Sequence, residues 1–364
     1  MKFYGIVPPH IFKEIAQRGS MSQKECAFNT LAVSEQFRGR RSALAGIAGL
    51  AAVPTGGKRR TIYDAKNRFQ LPGRLVRGEG DRDGKDAAVN EAYAGAGVVY
   101  DFYENVYARN SLDGRGARLD GSVHYGRDYD NAFWNGHQMV YGDGDGEFFG
   151  RFTGALDVIG HELTHGVVQF EADLAYQDQS GALNESFADI FGSLIKQYAN
   201  KQKAGDADWL VGEGLFTSKV KGRALRSLKN PGTAYDDPIL GRDPQPAHMR
   251  DYVRTSDDNG GVHINSGIPN KAFYETAARL GGYAWQKTGR IWYVALTEKL
   301  SEETNFEQAA RLTVAAAQEL FGVKSPEQEA VQEGWAGVGI RIKTNESSSQ
   351  TNRWTSRSGK RVGA

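Results

Sequence analysis

From residue 154 onward, apolar and polar positions recur with a helical period. The spacing predicts helices over Leu156–Phe170 and over residues 182–199, 271–280, 291–299, 306–320 and 326–336. In the second of these, Leu183, Phe187, Ile190 and Phe191 mark one apolar face, while Glu185 and Asp189 share another. Upstream, residues 61–152 alternate short polar and apolar runs, as in Ser122-Val-His-Tyr and Gln138-Met-Val-Tyr, with turn residues between them. That pattern predicts a strand-rich region holding at least one helix around residues 98–109. The fold class expected is α+β, in two lobes, with a functional cleft between them. The boundaries expected are 61–153 for the strand-rich lobe and 154–344 for the helical lobe.

The first sixty residues do not continue either pattern. Pro8-Pro9 precedes a short helix over residues 10–17 that stops at Gly19. Ser22-Gln-Lys-Glu25 has the form of a capping box opening a second helix, on which Cys26, Thr30, Val33 and Phe37 fall on one side. After Ser42 the chain turns Gly/Ala-rich and reaches Pro54-Thr-Gly-Gly-Lys-Arg-Arg60, a basic linker suited to cleavage. Residues 1–60 are therefore expected to be a helical pro-segment with its linker. The polar, basic stretch 345–364 is expected to be a disordered tail.

Composition adds little beyond exclusions. The chain has 364 residues, 40% hydrophobic and 24% charged, with a formal net charge of +1. That balance argues for neither a nucleic-acid nor a membrane partner. The longest apolar run, residues 43–54, is too short and glycine-rich to span a bilayer. One cysteine, Cys26, rules out an intrachain disulfide framework. The first ten residues lack a long apolar stretch, so no secretory signal is expected; cytoplasmic storage of a precursor, or export by another route, fits better.

The candidate chemistry lies in His161-Glu162-Leu163-Thr164-His165. On a helix, residues four apart share a face, so two imidazoles can grip one Zn²⁺ while the glutamate between them serves as general base toward water. Catalytic zinc takes three protein ligands and keeps a position open. Glu185, on the next helix, is the candidate third ligand, and Asp189 the carboxylate that orients one ligating imidazole.

These motifs, with Asn184 beside Glu185, resemble the thermolysin-like neutral metalloproteases, whose zinc is held by two histidines and a glutamate. Asn131-Ala-Phe-Trp-Asn-Gly136, Met139-Val-Tyr-Gly-Asp-Gly-Asp-Gly146, Asp258-Asn-Gly-Gly-Val-His263 and Trp335-Ala-Gly-Val-Gly-Ile340 are similar to further family segments, from about residue 61 to about residue 342. The resemblance implies a two-lobed thermolysin-like fold and a zinc endopeptidase that cuts before bulky hydrophobic residues. It implies that His263 and Tyr176 stabilise the oxyanion, with Asp258 orienting His263. Asn131, Ala132 and Arg226 would hold the substrate backbone, and Phe149, Val158 and Leu225 would line its pocket. Asn184 would support a metal-binding histidine.

The front segment resembles the short propeptide of the protealysin-like branch, with its Pro-Pro motif. A self-inhibited monomeric precursor follows, whose partners are polypeptide substrates and its own propeptide. Cys26 is the candidate latch, its thiolate occupying the open zinc position. The family's double calcium site maps to Asp157, Lys196, Asp208 and Glu213; an ammonium cannot ligate calcium, so a charge cluster is expected there. Asp143-Gly-Asp145 is expected to be a glycine-rich turn. The alternatives are a zinc aminopeptidase, for which no acidic anchor for a free amine is found in register, and a non-enzymatic binding protein on a protease scaffold.

Overall fold

The computed structural model describes residues 4–44 and 56–342, with side chains omitted for Tyr4 and residues 34–44. The expected tail beyond residue 342 and residues 45–55 ahead of and into the linker lie outside the described residues, while Lys58 and Arg59 of the linker bond Asp101 and Gly116 O and Arg60 begins a strand. The chain opens with a two-residue strand, β1 (Tyr4–Gly5), followed by helices α1 (Pro9–Arg18) and α2 (Met21–Leu44). Pro9 starts α1, where its missing N–H costs nothing. The box that opens α2 sits two residues earlier than expected. Ser20 Oγ accepts from Gln23 N–H, and Gln23 Oε1 accepts from Ser20 N–H at 2.7 Å.

The strand-rich lobe contains β2 (Arg60–Arg68), β3 (Arg74–Arg77), α3 (Ala87–Tyr107), β4 (Leu119–Tyr125), β5 (Ala132–Trp134) and β6 (Met139–Tyr141). Helix α3 begins well before the expected residue 98, because Asp86 caps it by accepting from the Ala88 and Val89 amides. The strands form one six-stranded sheet in the order β1-β5-β6-β4-β2-β3. The β2–β4 and β4–β6 pairs are parallel and the rest antiparallel. The unexpected element is β1: the pro-segment supplies an edge strand to the catalytic lobe's own sheet, pairing Tyr4 with Trp134 and Gly5 with Phe133.

The helical lobe begins with α4 (Leu156–Phe170) and α5 (Asp178–Ala199). Two short ladders follow, β7 (Leu210–Val211) with β8 (Arg226–Ser227), and β9 (Asp236–Asp237) with β10 (Gly241–Arg242). It ends with α6 (Asp258–Asn265), α7 (Gly267–Leu280), α8 (Thr288–Glu298), α9 (Phe306–Phe321) and α10 (Pro326–Gly337). Helix α9 carries a complete Asn305/Gln308 capping box, and Ser325 caps α10 ahead of Pro326. One continuous apolar core joins α3, α4 and α5 to the C-terminal helices and takes in Ile6, Ile11, Phe12 and Ile15 of the pro-segment. No helix among the described residues is long and apolar enough to cross a membrane.

Candidate active site

The site is built on the contact between α4 and α5. Gly160 and Gly192 face each other there: a Cβ on Gly192 would lie 2.5 Å from Asp157 O and 3.0 Å from His161 N. Only glycine permits the helices to approach this closely, and that approach sets Glu185 and Asp189 against His161 and His165.

His161 Nδ1 lies 2.8 Å from Asp189 Oδ1, and His165 Nδ1 lies 2.8 Å from Asn184 Oδ1. Asn184 donates its amide to Leu174 O, so its oxygen faces the imidazole. Both acceptors require an N–H, which assigns the proton of each neutral ring to Nδ1. Both Nε2 atoms then carry lone pairs, yet they face each other at 3.0 Å. The Glu185 carboxylate sits 3.5 Å from each, and its Oε2 is buried without a hydrogen-bond partner. Three electron-pair donors converge on one point with no proton between them, which fits a bound cation. Two nitrogens and one carboxylate match the donor set of catalytic Zn²⁺. Burial, with His161 beside it, pushes the His165 pKa well down and keeps that ring available as a ligand.

Glu162 is fully buried next to these ligands. Burial raises its pKa well above the ordinary carboxylate range; the Trp134 amide, donating to Oε2 at 2.8 Å, opposes this, while Oε1 has no partner. On the opposite wall stands His263. Asp258, Asn259, Gly260 and Gly261 all have positive φ, and this left-handed run folds the Asp258 carboxylate back onto the histidine. Oδ2 accepts the His263 backbone N–H at 2.9 Å, and Oδ1 lies 2.7 Å from Nδ1. Burial disfavours charge on His263, but Asp258 and Glu185 outweigh it and raise its pKa. Tyr176 OH is hydrogen-bonded to Glu185 and lies 3.3 Å from His263 Nε2.

Arg226 lies at the floor of the cleft, fully buried, its guanidinium forked onto Asp189 at 2.9–3.1 Å. Asp189 thus serves His161 and Arg226 together, and Asn270 Nδ2 adds a third contact at 2.9 Å. Burial works against the Asp189 charge, but Arg226 and His161 hold its pKa below the usual range. Phe149, Val158 and Leu225 are all buried in the core that contains Ile6, and Phe149 meets Phe12 of α1 at 6.5 Å between ring centroids.

The cleft is filled by the chain's own front segment. Ile6 N–H donates to Ala132 O at 3.1 Å. Val7 N–H donates to Asn131 Oδ1 at 3.0 Å, and Asn131 Nδ2 reaches Val7 O at 3.3 Å. Arg226 Nη1 donates to Ile6 O at 2.8 Å, and His263 Nε2 lies 3.1 Å from Gly5 O. The sequence reading missed Gly5, Ile6 and Val7; their one visible signal was a short apolar run before Pro8. It also missed Gln245, which braces His263 O at 2.9 Å.

Cys26 corrects the expectation placed on it. Its Sγ hydrogen-bonds Asp128 O at 3.0 Å and Asp130 Oδ2 at 3.2 Å, and it groups with Asp130 and Asp145 rather than with the zinc ligands. Burial, followed by Asp130, raises its pKa, so the thiolate needed for ligation is disfavoured. The latch is peptide backbone, not sulfur. Lys196 pairs with Asp157 at 2.9 Å and Asp208 at 3.0 Å, as expected. Glu213 joins this group through Asp208 and separately pairs with Arg223 at 3.4 Å. Asp145 Oδ1 accepts the amides of Glu147, Phe148 and Phe149, so that segment is a turn.

Comparison with known proteins agrees with this geometry. Residues 55–169 match the family model described as the thermolysin metallopeptidase catalytic domain, and residues 172–340 the one described as its alpha-helical domain. An extracellular metalloprotease of Pectobacterium carotovorum subsp. carotovorum is 49% identical, over 93% of this chain and 96% of its own. Protease PrtS of a Photorhabdus species is also 49% identical, over 94% and 93%. The precursor of protealysin, a metalloproteinase from Serratia proteamaculans, superposes with a TM-score of 0.85 at 52% identity, covering 93% of this chain and 99% of its own. Nothing in these likenesses supports the aminopeptidase alternative. The chain belongs to the thermolysin metallopeptidase family, as a zinc metalloendopeptidase carrying a propeptide of the protealysin type.

Proposed function

We propose that Glu162 is the general base, that His263 and Tyr176 receive the oxyanion, and that Asn131, Ala132 and Arg226 hold the substrate backbone. The observation that carries this reading is the placement of residues 5–7. A peptide already lies in the cleft with its groups matched to those side chains. A bound Zn²⁺ on His161, His165 and Glu185 supplies Lewis acidity toward the scissile carbonyl and toward water. Glu162 takes the proton of the attacking water and passes it to the leaving amine. His263, whose protonated form Asp258 favours, and the Tyr176 hydroxyl aim donors at the oxygen where charge develops. Arg226 fixes the next carbonyl along, and the substrate joins the sheet edge at β5 as an added strand.

The apolar wall of Phe149, Val158 and Leu225 favours a bulky hydrophobic residue after the cut. The pro-segment inhibits by occupying the cleft, so the precursor is latent until it is removed. We further propose that Lys196 stands in for calcium. The mature enzyme acts as a monomer outside the cell, like its extracellular relative, with no nucleic-acid or membrane partner. Glu162→Gln should leave a folded protein that still binds one zinc per chain but digests casein at least about 10³-fold more slowly. Casein digestion at the parental rate by that variant would refute the assignment.

A further inference from the structure

We infer that the zinc-loaded precursor hydrolyses its own Gly5–Ile6 peptide bond. This rests on the function proposed above but goes beyond it, since it names one bond in this chain as a substrate.

Every group around that bond has the counterpart that hydrolysis needs. The Gly5 carbonyl oxygen faces His263 Nε2 at 3.1 Å, where an oxyanion would be stabilised. The Ile6 nitrogen, which would be the leaving amine, donates to Ala132 O at 3.1 Å, and its amide favours the charged form of the buried Glu162, the group that must protonate it. Arg226 holds the Ile6 carbonyl, and Asn131 brackets Val7. Ile6 is fully buried, a bulky aliphatic residue directly after the bond, as the apolar pocket requires. Glycine before the bond offers no side chain to obstruct attack. The segment runs antiparallel to β5, so this is the register of a strand added to the sheet edge.

The step balances with water alone. Glu162 takes a proton from water as its oxygen bonds to the Gly5 carbonyl carbon. The Gly5–Ile6 C–N bond breaks, and the proton passes to the Ile6 nitrogen. The products are a carboxylate ending at Gly5 and a free amine at Ile6. The two sides of the cut differ in their hold. Among its described residues, the upstream piece keeps the Tyr4 and Gly5 pairing with β5 and the His263 contact at Gly5 O. The downstream piece keeps the Arg226 and Asn131 bonds and the burial of Ile6, Ile11, Phe12 and Ile15. The clipped pro-segment therefore stays docked, and clipping is not release.

The test is time-resolved intact mass and N-terminal sequencing of the zinc-loaded precursor. The expected result is a new N-terminus at Ile6, formed at a rate independent of protein concentration over a 100-fold range. The clipped chain, in which residues 6–60 remain joined to the catalytic lobes, should stay as slow toward casein as the uncut precursor, and Glu162→Gln precursor should not be cut. In chelated precursor, hydrogen exchange at the Ile6 and Val7 amides should be slow, which checks the placement without any turnover. A Gly5–Ile6 bond that stays intact, while the matured protein digests casein normally, overturns the inference and leaves the proposed function standing. A rate that rises with concentration, equal cutting of Glu162→Gln, or rapid exchange at those two amides also overturns it. A matured, zinc-loaded protein inert toward casein overturns both.

Discussion

His10 shows how much one side chain of the pro-segment depends on its surroundings. Its Nε2 lies 2.8 Å from Tyr235 OH, and its Nδ1 is shut off from solvent with no partner. Burial lowers its pKa to about 4; Asp258 pulls the other way, while His263, Arg226 and Lys13 add to the lowering. The docked ring thus resists a proton that a free histidine accepts near pH 6.5. The sign follows: docking is at full strength above about pH 6.5 and weakens as pH falls toward 4, by at most about 1.4 kcal/mol per pH unit. Melting of the inert Glu162→Gln precursor should therefore drop between pH 7 and 5, and adding His10→Gln should remove part of that drop. An unchanged pH profile in the double variant would show that His10 is not the group responsible. At this scale the residues of the zinc motif were plain in the chain, because each needs only its own type and a helical spacing. The duty of Cys26 was not, because a thiol's reactivity is set by neighbours such as Asp130, 104 residues away.

Among the elements, the α4–α5 pair decides whether a metal site exists at all. Gly192→Ala places a Cβ 2.5 Å from backbone atom Asp157 O, so the helices must separate. The expected cost is about 1–3 kcal/mol in urea unfolding, together with a loss of bound zinc. Gly205→Ala, where the added Cβ meets nothing within 4 Å, should change neither. Equal zinc content in both variants would mean the close approach is not needed. Most helix spans were legible, since apolar periodicity and caps such as Asn305/Gln308 are local signals. Helix α3 was half legible: glycines at 95 and 97 obscure its middle, where a Cβ on Gly97 would lie 2.4 Å from Arg60 Nη1. Strand β1 was invisible, because two residues carry no period and its partner lies about 130 positions away.

Across the molecule, Lys196 ties α5 to Asp157 of α4 and to Asp208 of the following loop. Asp157 is buried enough for that burial to raise its pKa, and Lys196 opposes the rise. The Lys196 ammonium pairs with these two carboxylates directly, which is the basis of the proposal that it stands in for calcium. Elemental analysis of the purified protein should find zinc but no pair of tightly held calcium ions; two calcium ions per chain would overturn this substitution. The two lobes and the cleft between them followed from the change of period near residue 154. His161 and His165 with Glu162 between them, and Glu185 one helix on, were legible in the chain itself, because helical spacing converts sequence separation directly into distance; the meaning of Lys196 came from the family resemblance. What only the folded molecule decided was the content of the cleft. Which backbone reaches β5, which carbonyl meets Arg226 and which amide faces Glu162 depend on contacts between segments 100 to 260 residues apart, and no local pattern encodes such contacts.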